Sequence, residues 1–320
     1  MSDDEDQAGG TLAVGDMASG GALLAFSVYD PPGAVRACVV IGGAMGVPQV
    51  FYAPYAQWLA QQGYRVFTFD YRGHGASLRH VPGQRLRHFR ADLHDWVRDY
   101  EAVIAHARSS TPQAPLLLLG HSLGGQLPGL FEHPARVDGL LAIASGSGYW
   151  RENAIALKRH VLFFWHVMVP VATRVCGYFP GRRLRMVGDL PAGVILQWRR
   201  WCMHPRYSAG AEGPEAAQRY ARVRFPIQSW SFGDDEMMTL RGIRSLLTLY
   251  SAAPHKLQVI HPVEVPSRRI GHFGFFREAM QGTLWQRSLR ALQALEQTVP
   301  HATRHATTLP DTAPHDAPSA

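Results

Sequence analysis

A serine, a histidine and a carboxylate far apart in a chain can act as one unit if the fold gathers them. Gly120-His121-Ser122-Leu123-Gly124-Gly125 directly follows the apolar run Leu116–Leu119. The segment fits G-x-S-x-G. Its small residues allow a sharp strand-to-helix turn that pushes the serine hydroxyl out of the sheet's carboxyl edge. A hydroxyl is a weak nucleophile until a base takes its proton. His272, in Ile270-Gly271-His272-Phe273-Gly274, lies on a Gly-flanked turn late in the chain and is the candidate base. His261 follows Ile260 immediately and reads as a strand-end residue. The acid that orients the imidazole belongs between serine and histidine in chain order. There Ser229-Trp230-Ser231-Phe232-Gly233-Asp234-Asp235-Glu236 ends a strand and offers two adjacent aspartates.

These residues need a frame, and apolar runs of strand length alternate with helical patterns to give one. Gly21–Tyr29, Ala37–Ile41, Tyr64–Phe69, Leu116–Leu119, Val137–Ala144, Phe225–Phe232 and Leu257–Ile260 read as strands. Val50–Gln61, His88–Arg108, Arg241–Ser251 and Leu284–Gln297 carry helical spacing. Such alternation predicts an α/β fold, a mostly parallel sheet with helices on both faces. Asp70 and Arg72, in Phe69-Asp70-Tyr71-Arg72-Gly73-His74-Gly75, are placed to brace a tight glycine turn at the carboxyl edge. The rhythm breaks in an aromatic, Arg-rich stretch, so residues 146–220 read as a helical insertion that caps the sheet. The expected organisation is an acidic disordered tail at 1–10, core at 11–145 and 221–299 around that insertion, and a second disordered tail at 300–320.

Composition narrows the class. With 320 residues, 46% of them hydrophobic and 18% charged, a sizeable core is available and wholesale disorder is excluded. Formal net charge is +7. No basic stripe interleaved with aromatics argues for nucleic acid. Between Tyr149 and Tyr220 eleven basic residues meet four acidic ones, alongside Phe163, Phe164, Trp165, Trp198 and Trp201. That mixture reads either as a solvated face over an aromatic core or as an entrance that contacts lipid. His160–Phe179 is interrupted by His166, Pro170 and Arg174, which argues against a membrane span. Cys38, Cys176 and Cys202 fit neither a disulfide framework nor a zinc motif. The acidic N-terminus shows no secretory pattern, so a cytoplasmic protein without cofactor is expected.

Together, GHSLGG, FDYRGHGAS, GGAMG after a strand, GDD and IGHFGF resemble the α/β-hydrolase superfamily over about residues 20–297. The likeness is to bacterial serine hydrolases near the monoacylglycerol lipases and the serine-aminopeptidase-like group. The resemblance implies a triad of Ser122, Asp235 and His272. It also implies an oxyanion hole from the backbone N–H groups of Leu123 and Ala44, no metal, and a small-molecule ester substrate. Register selects Asp235, because Glu236-Met237-Met238 then leads to Thr239 as a helix N-cap; Asp234 is left to brace the loop. Where the family commonly carries His-Gly, this chain has Gly42-Gly43. The expected activity is hydrolysis of a carboxylic ester or thioester through an acyl-enzyme. An acyltransferase with the same triad and a non-catalytic binding protein on this fold are the alternatives. Ser122 at the nucleophile position disfavours dehalogenase and epoxide-hydrolase chemistry.

Overall fold

The computed structural model describes residues 10–298. The expected tails, apart from Gly10, lie outside these residues. Among the described residues ten strands run in chain order: β1 (Leu12–Ser19), β2 (Ala22–Tyr29), β3 (Ala37–Gly42), β4 (Tyr64–Phe69), β5 (Leu116–His121), β6 (Gly139–Ile143), β7 (Tyr178–Phe179), β8 (Leu190–Pro191), β9 (Ile227–Phe232) and β10 (His255–Ile260). Eight of them form one sheet in the order β1-β2-β4-β3-β5-β6-β9-β10. From β4 to β10 all neighbours are parallel. The β1–β2 hairpin adds an antiparallel edge. The sequence reading started the sheet at Gly21 and missed β1. Most of this strand is exposed at the sheet's end, so it has no continuous apolar run.

Among the described residues ten α-helices accompany the strands: α1 (Ala53–Ala60), α2 (Leu93–Ser110), α3 (Leu123–Gln126), α4 (Ile155–Phe163), α5 (Val169–Cys176), α6 (Ala192–Met203), α7 (Tyr207–Ala211), α8 (Pro214–Arg222), α9 (Leu240–Leu249) and α10 (Gln286–Gln297). Side chains of a strand alternate between faces. Thus Leu116 and Leu118 of β5 join a core with Trp96, Tyr100 and Val103 of α2. Leu117 and Leu119 join a second core with Tyr55 and Leu59 of α1 and Leu292 and Leu295 of α10. Helix α2 begins at Leu93, five residues after the expected start. Asp92 accepts the Asp95 N–H while Asp95 accepts the Asp92 N–H, a reciprocal cap that fixes the first turn.

Chain order turns at β3. After β3 the chain moves outward to β4, and β5 returns on the opposite side of β3. In open α/β sheets the crevice at such a reversal is the usual ligand site. Both Ala44, after β3, and Ser122, after β5, lie at that point. Residues 144–226, between β6 and β9, carry α4 to α8 and the short β7–β8 pair.

The glycine turn after β4 is braced as its charges suggested. Asp70 accepts the N–H groups of Gln49 and Ala76. Arg72 turns the other way and grips fully buried Asp99 at 2.6 Å, while its main-chain N–H bonds the same carboxylate at 2.9 Å. Removing one partner of a buried ion pair strands the other. Asp99→Ala is therefore expected to lower the unfolding free energy by about 3 kcal/mol, read as a shift in urea midpoint at unchanged slope.

Candidate active site

The elbow after β5 is built by steric exclusion. A Cβ on Gly120 would lie 2.5 Å from the Gly124 carbonyl oxygen, and one on Gly124 only 1.9 Å from that of Gly42. Glycine at both positions lets the turn close against β3. Ser122 itself holds φ 52° and ψ −110°, a strained conformation for a residue with a side chain. Its N–H is anchored on the Ile143 carbonyl at 3.0 Å. Leu123 is the first residue of α3, so its N–H has no acceptor within the helix.

Asp235 and His272 meet directly. Asp235 Oδ2 lies 2.9 Å from His272 Nδ1, and both side chains are almost wholly buried. The other carboxylate oxygen, Oδ1, accepts the N–H groups of Met237 and Met238, each at 2.8 Å. The carboxylate is thereby fixed in orientation. Asp234 points elsewhere: it accepts the N–H groups of Ile270 and Gly271 and ties the histidine loop to the β9 loop. Glu236 adds a third tie by accepting the His272 N–H at 3.3 Å. Thr239 caps α9 through the Gly242 N–H. His261 stands at an exposed turn, where its N–H bonds Glu264.

His121, between Gly120 and the serine, joins the loops. Ala44 N–H donates to Tyr52 Oη at 2.8 Å, and Tyr52 Oη lies 3.0 Å from His121 Nδ1. His121 Nε2 lies 3.0 Å from the His272 carbonyl oxygen. A carbonyl only accepts, so the ring proton resides on Nε2 and Nδ1 accepts the tyrosine hydroxyl. Burial, with His272 nearby, holds His121 well below the usual histidine pKa and keeps this tautomer neutral. The network links the β3 loop, the elbow and the histidine loop.

It also engages Ala44, the expected second oxyanion donor, whose N–H is given to Tyr52 Oη. Tyr100 explains Gly42, since a Cβ there would lie 2.4 Å from its hydroxyl. Tyr52, Gln126 and Tyr207 were absent from the sequence reading. Gln126 Nε2 donates to the Gly146 carbonyl, and its oxygen accepts the Tyr207 hydroxyl at 2.8 Å. Such ties join partners as far as 81 residues apart, so no local pattern announces them.

Beside the Asp235 loop lies a cavity of about 430 Å³, lined by Val161, Phe164, Trp165, Trp198, Met237 and Met238 among others. Its wall is largely apolar, suited to hydrocarbon. Among the described residues no group of three or more His, Cys, Asp and Glu is placed to hold a metal ion.

The sheet order, the elbow after β5 and the aspartate–histidine pair after β9 and β10 define an α/β-hydrolase fold. A family model described as serine aminopeptidase, S33, matches residues 20–183, and the chain belongs to that family. A monoacylglycerol lipase of Mycolicibacterium smegmatis is 32% identical over 120 residues, 38% of this chain and 40% of that protein. The human monoglyceride lipase is 29% identical over 126 residues, 39% of this chain and 40% of that protein. The chain therefore matches well under half the length of these curated relatives. A soluble variant of the Saccharomyces cerevisiae monoglyceride lipase superposes with a TM-score of 0.61 at 15% identity, covering 92% of this chain and 99% of that one. A Bacillus coagulans carboxyl esterase gives 0.58 at 12%, covering 89% and 99%. These two likenesses concern the fold.

Tyr52→Phe tests the network around His121. The variant leaves the buried Ala44 N–H and His121 Nδ1 without their hydroxyl partner. Chemical denaturation is expected to show a loss of about 1–3 kcal/mol. An unchanged midpoint would mean the hydroxyl is not the tie described.

Proposed function

We propose that the protein is a serine hydrolase that cleaves a carboxylic ester or thioester with a lipophilic acyl group. The observation that carries this reading is the buried Asp235–His272 pair, joined through His121 to the elbow that bears Ser122. Ser122 Oγ attacks the ester carbonyl carbon as its proton passes to His272 Nε2. Asp235 holds the imidazole by Nδ1–H and stabilises the imidazolium. The oxyanion takes the Leu123 N–H, and Ala44 serves as second donor only by sharing its N–H with Tyr52. His272 then protonates the departing alkoxide or thiolate. Water, deprotonated by the same histidine, releases the acid and restores Ser122. The apolar cavity beside Met237 and Met238 supports a lipophilic acyl chain. In this reading residues 146–220 form the cap that shapes the substrate pocket. Three free thiols support a cytoplasmic setting.

Labelling with a fluorophosphonate probe tests the nucleophile. The wild type is expected to label and to hydrolyse p-nitrophenyl esters, with preference for longer acyl chains. Ser122→Ala is expected to lose labelling and on the order of 10⁶ in kcat. Turnover at the wild-type rate by this variant would remove Ser122 from the mechanism.

The two aspartates separate by kinetics. Asp235→Asn keeps the size of the side chain but cannot stabilise the same tautomer and charge, so a loss of about 10⁴ in kcat is expected. Asp234→Asn retains one oxygen acceptor and is expected to act on stability, by roughly 1 kcal/mol. A large kinetic loss in Asp234→Asn beside a nearly active Asp235→Asn would reverse the roles.

A further inference from the structure

The largely apolar cavity beside the Asp235 loop has Asn153 in its wall. Asn153 is only 7% exposed, yet among the described residues its amide meets no hydrogen-bond partner. A buried amide in that state is costly unless something that enters the cavity bonds it. Other polar groups of the wall are not open in this way. The Trp198 N–H is spent on the Tyr207 hydroxyl at 2.9 Å. The Trp165 N–H is buried within the wall. Burial holds the Cys202 thiol well above its usual pKa and keeps it protonated. His160 stands exposed.

The bonds of its neighbour fix where Asn153 stands. The Glu152 carbonyl oxygen accepts the Thr239 hydroxyl at 2.5 Å, and Glu152 Oε1 accepts that of Ser245 at 2.7 Å. Asn153 is thereby held to the loop that runs from Asp235 through Met237 and Met238, which share the cavity wall. Phe163 and Phe164 line the cavity further along, and from Leu157 to Phe163 helix α4 rises roughly 9 Å. The amide thus lies at the end tied to the aspartate, away from the aromatic end. The first turn of α4 adds donors there. Its Leu157 lines the same cavity, no N-cap side chain covers the turn, and it holds no acidic residue. The leading N–H groups of a helix have no acceptor within it, and its dipole leaves that end positive.

We propose that Asn153 and the first turn of α4 form a subsite for a hydroxyl group on the acyl chain, close to its carboxyl end. The substrates it selects are esters or thioesters of 3-hydroxy acids with a hydrocarbon tail. A hydroxyl both donates and accepts, so it satisfies the amide oxygen and takes an N–H in return. A plain hydrocarbon chain in the same place covers the amide and leaves it unpaired, and a site built around a polar group rejects the analogue that lacks its partner. A carboxylate on the chain fits less well, because an apolar wall cannot repay its desolvation. The subsite is a binding site in its own right; its effect on turnover rests on the hydrolase reading above.

Acid release from methyl octanoate, the two enantiomers of methyl 3-hydroxyoctanoate and methyl 8-hydroxyoctanoate tests this. The full chain is expected to prefer one 3-hydroxy enantiomer over methyl octanoate by about tenfold in kcat/KM. Methyl 8-hydroxyoctanoate is expected to fall below methyl octanoate, since its hydroxyl enters the apolar end. Asn153→Ala and Asn153→Leu, one smaller and one of similar size, are expected to lower the 3-hydroxy preference to about one or less. Equal loss on both esters, with the ratio kept, would make Asn153 a purely structural residue and overturns the proposal. Absence of any preference in the wild type does the same. Ser122→Ala, titrated with the same esters by tryptophan fluorescence, is expected to bind the favoured 3-hydroxy ester more tightly than methyl octanoate, and Ser122→Ala/Asn153→Ala to lose that difference. A binding preference in a protein that neither turns over these esters nor takes the fluorophosphonate label would remove the hydrolase reading and leave the subsite. Turnover without preference would remove the subsite and leave the hydrolase reading.

Discussion

The carboxyl edge of the sheet depends on how closely two backbones meet. Gly124 rests against the Gly42 carbonyl at a distance that admits no side chain. This contact lets the first turn of α3 lie beside the end of β3, at the reversal of strand order. It leaves Ser122 in a positive-φ conformation, a strain of order 1–3 kcal/mol. The surroundings hold that conformation. Ile143 accepts the Ser122 N–H. The Tyr250 hydroxyl bonds the Gly125 carbonyl, and the Tyr220 hydroxyl bonds that of Gln126. One main-chain carbonyl and two large buried tyrosines thus fasten a helix of only four residues.

The polar relay from Ala44 through Tyr52 and His121 to the His272 carbonyl follows from the same crowding. Each group in it is buried, and a buried polar group without a partner is costly. The bonds polarise one another in a medium of low dielectric. Because His272 offers a carbonyl, the ring of His121 has one workable proton position. That choice settles the direction of the tyrosine hydroxyl, which in turn consumes the Ala44 N–H. The bond from Ala44 to Tyr52 is therefore a consequence of hydrogen-bond saturation in this buried network.

Local patterns carried much of the frame. The buried strands read from continuous apolar runs because a parallel sheet covered on both faces demands them. The elbow read from its glycines because their absence of side chains is what the turn requires. The spacing from Asp235 to Thr239 was legible for a similar reason, since Thr239 does cap α9. What stayed hidden was either mostly exposed, as in β1, or paired at long range. Tyr52, Gln126 and Tyr207 look like ordinary core residues in the sequence. Only the fold shows that their polar atoms meet. The start of α2 was misjudged because an Asp92–Asp95 cap outweighs the basic residues before it.

The excursion between β6 and β9 distributes its polarity in an unusual way. Its polar side chains work at the seam with the core. Glu212 collects the ring of His94 together with Gln197, Arg200 and Trp201. Despite partial burial, these donors hold its pKa far below the ordinary carboxylate range. The Gly188 N–H bonds the Gly46 carbonyl, so the excursion also grips the loop after β3. Hydrogen bonds are directional, and a seam built from them fixes one orientation of the excursion on the sheet. Apolar contacts alone would allow it to slide. Buried Val194, Ile195 and Trp201 join the same seam to the core of α2, while Phe163, Val171 and Val175 face outward on α4 and α5. An excursion held inward by directional bonds and buried apolar side chains, with a second apolar set turned outward, has separated two requirements. One is the fixed placement of the cavity wall over the Asp235 loop, and the other is an outer face free to be covered by something apolar.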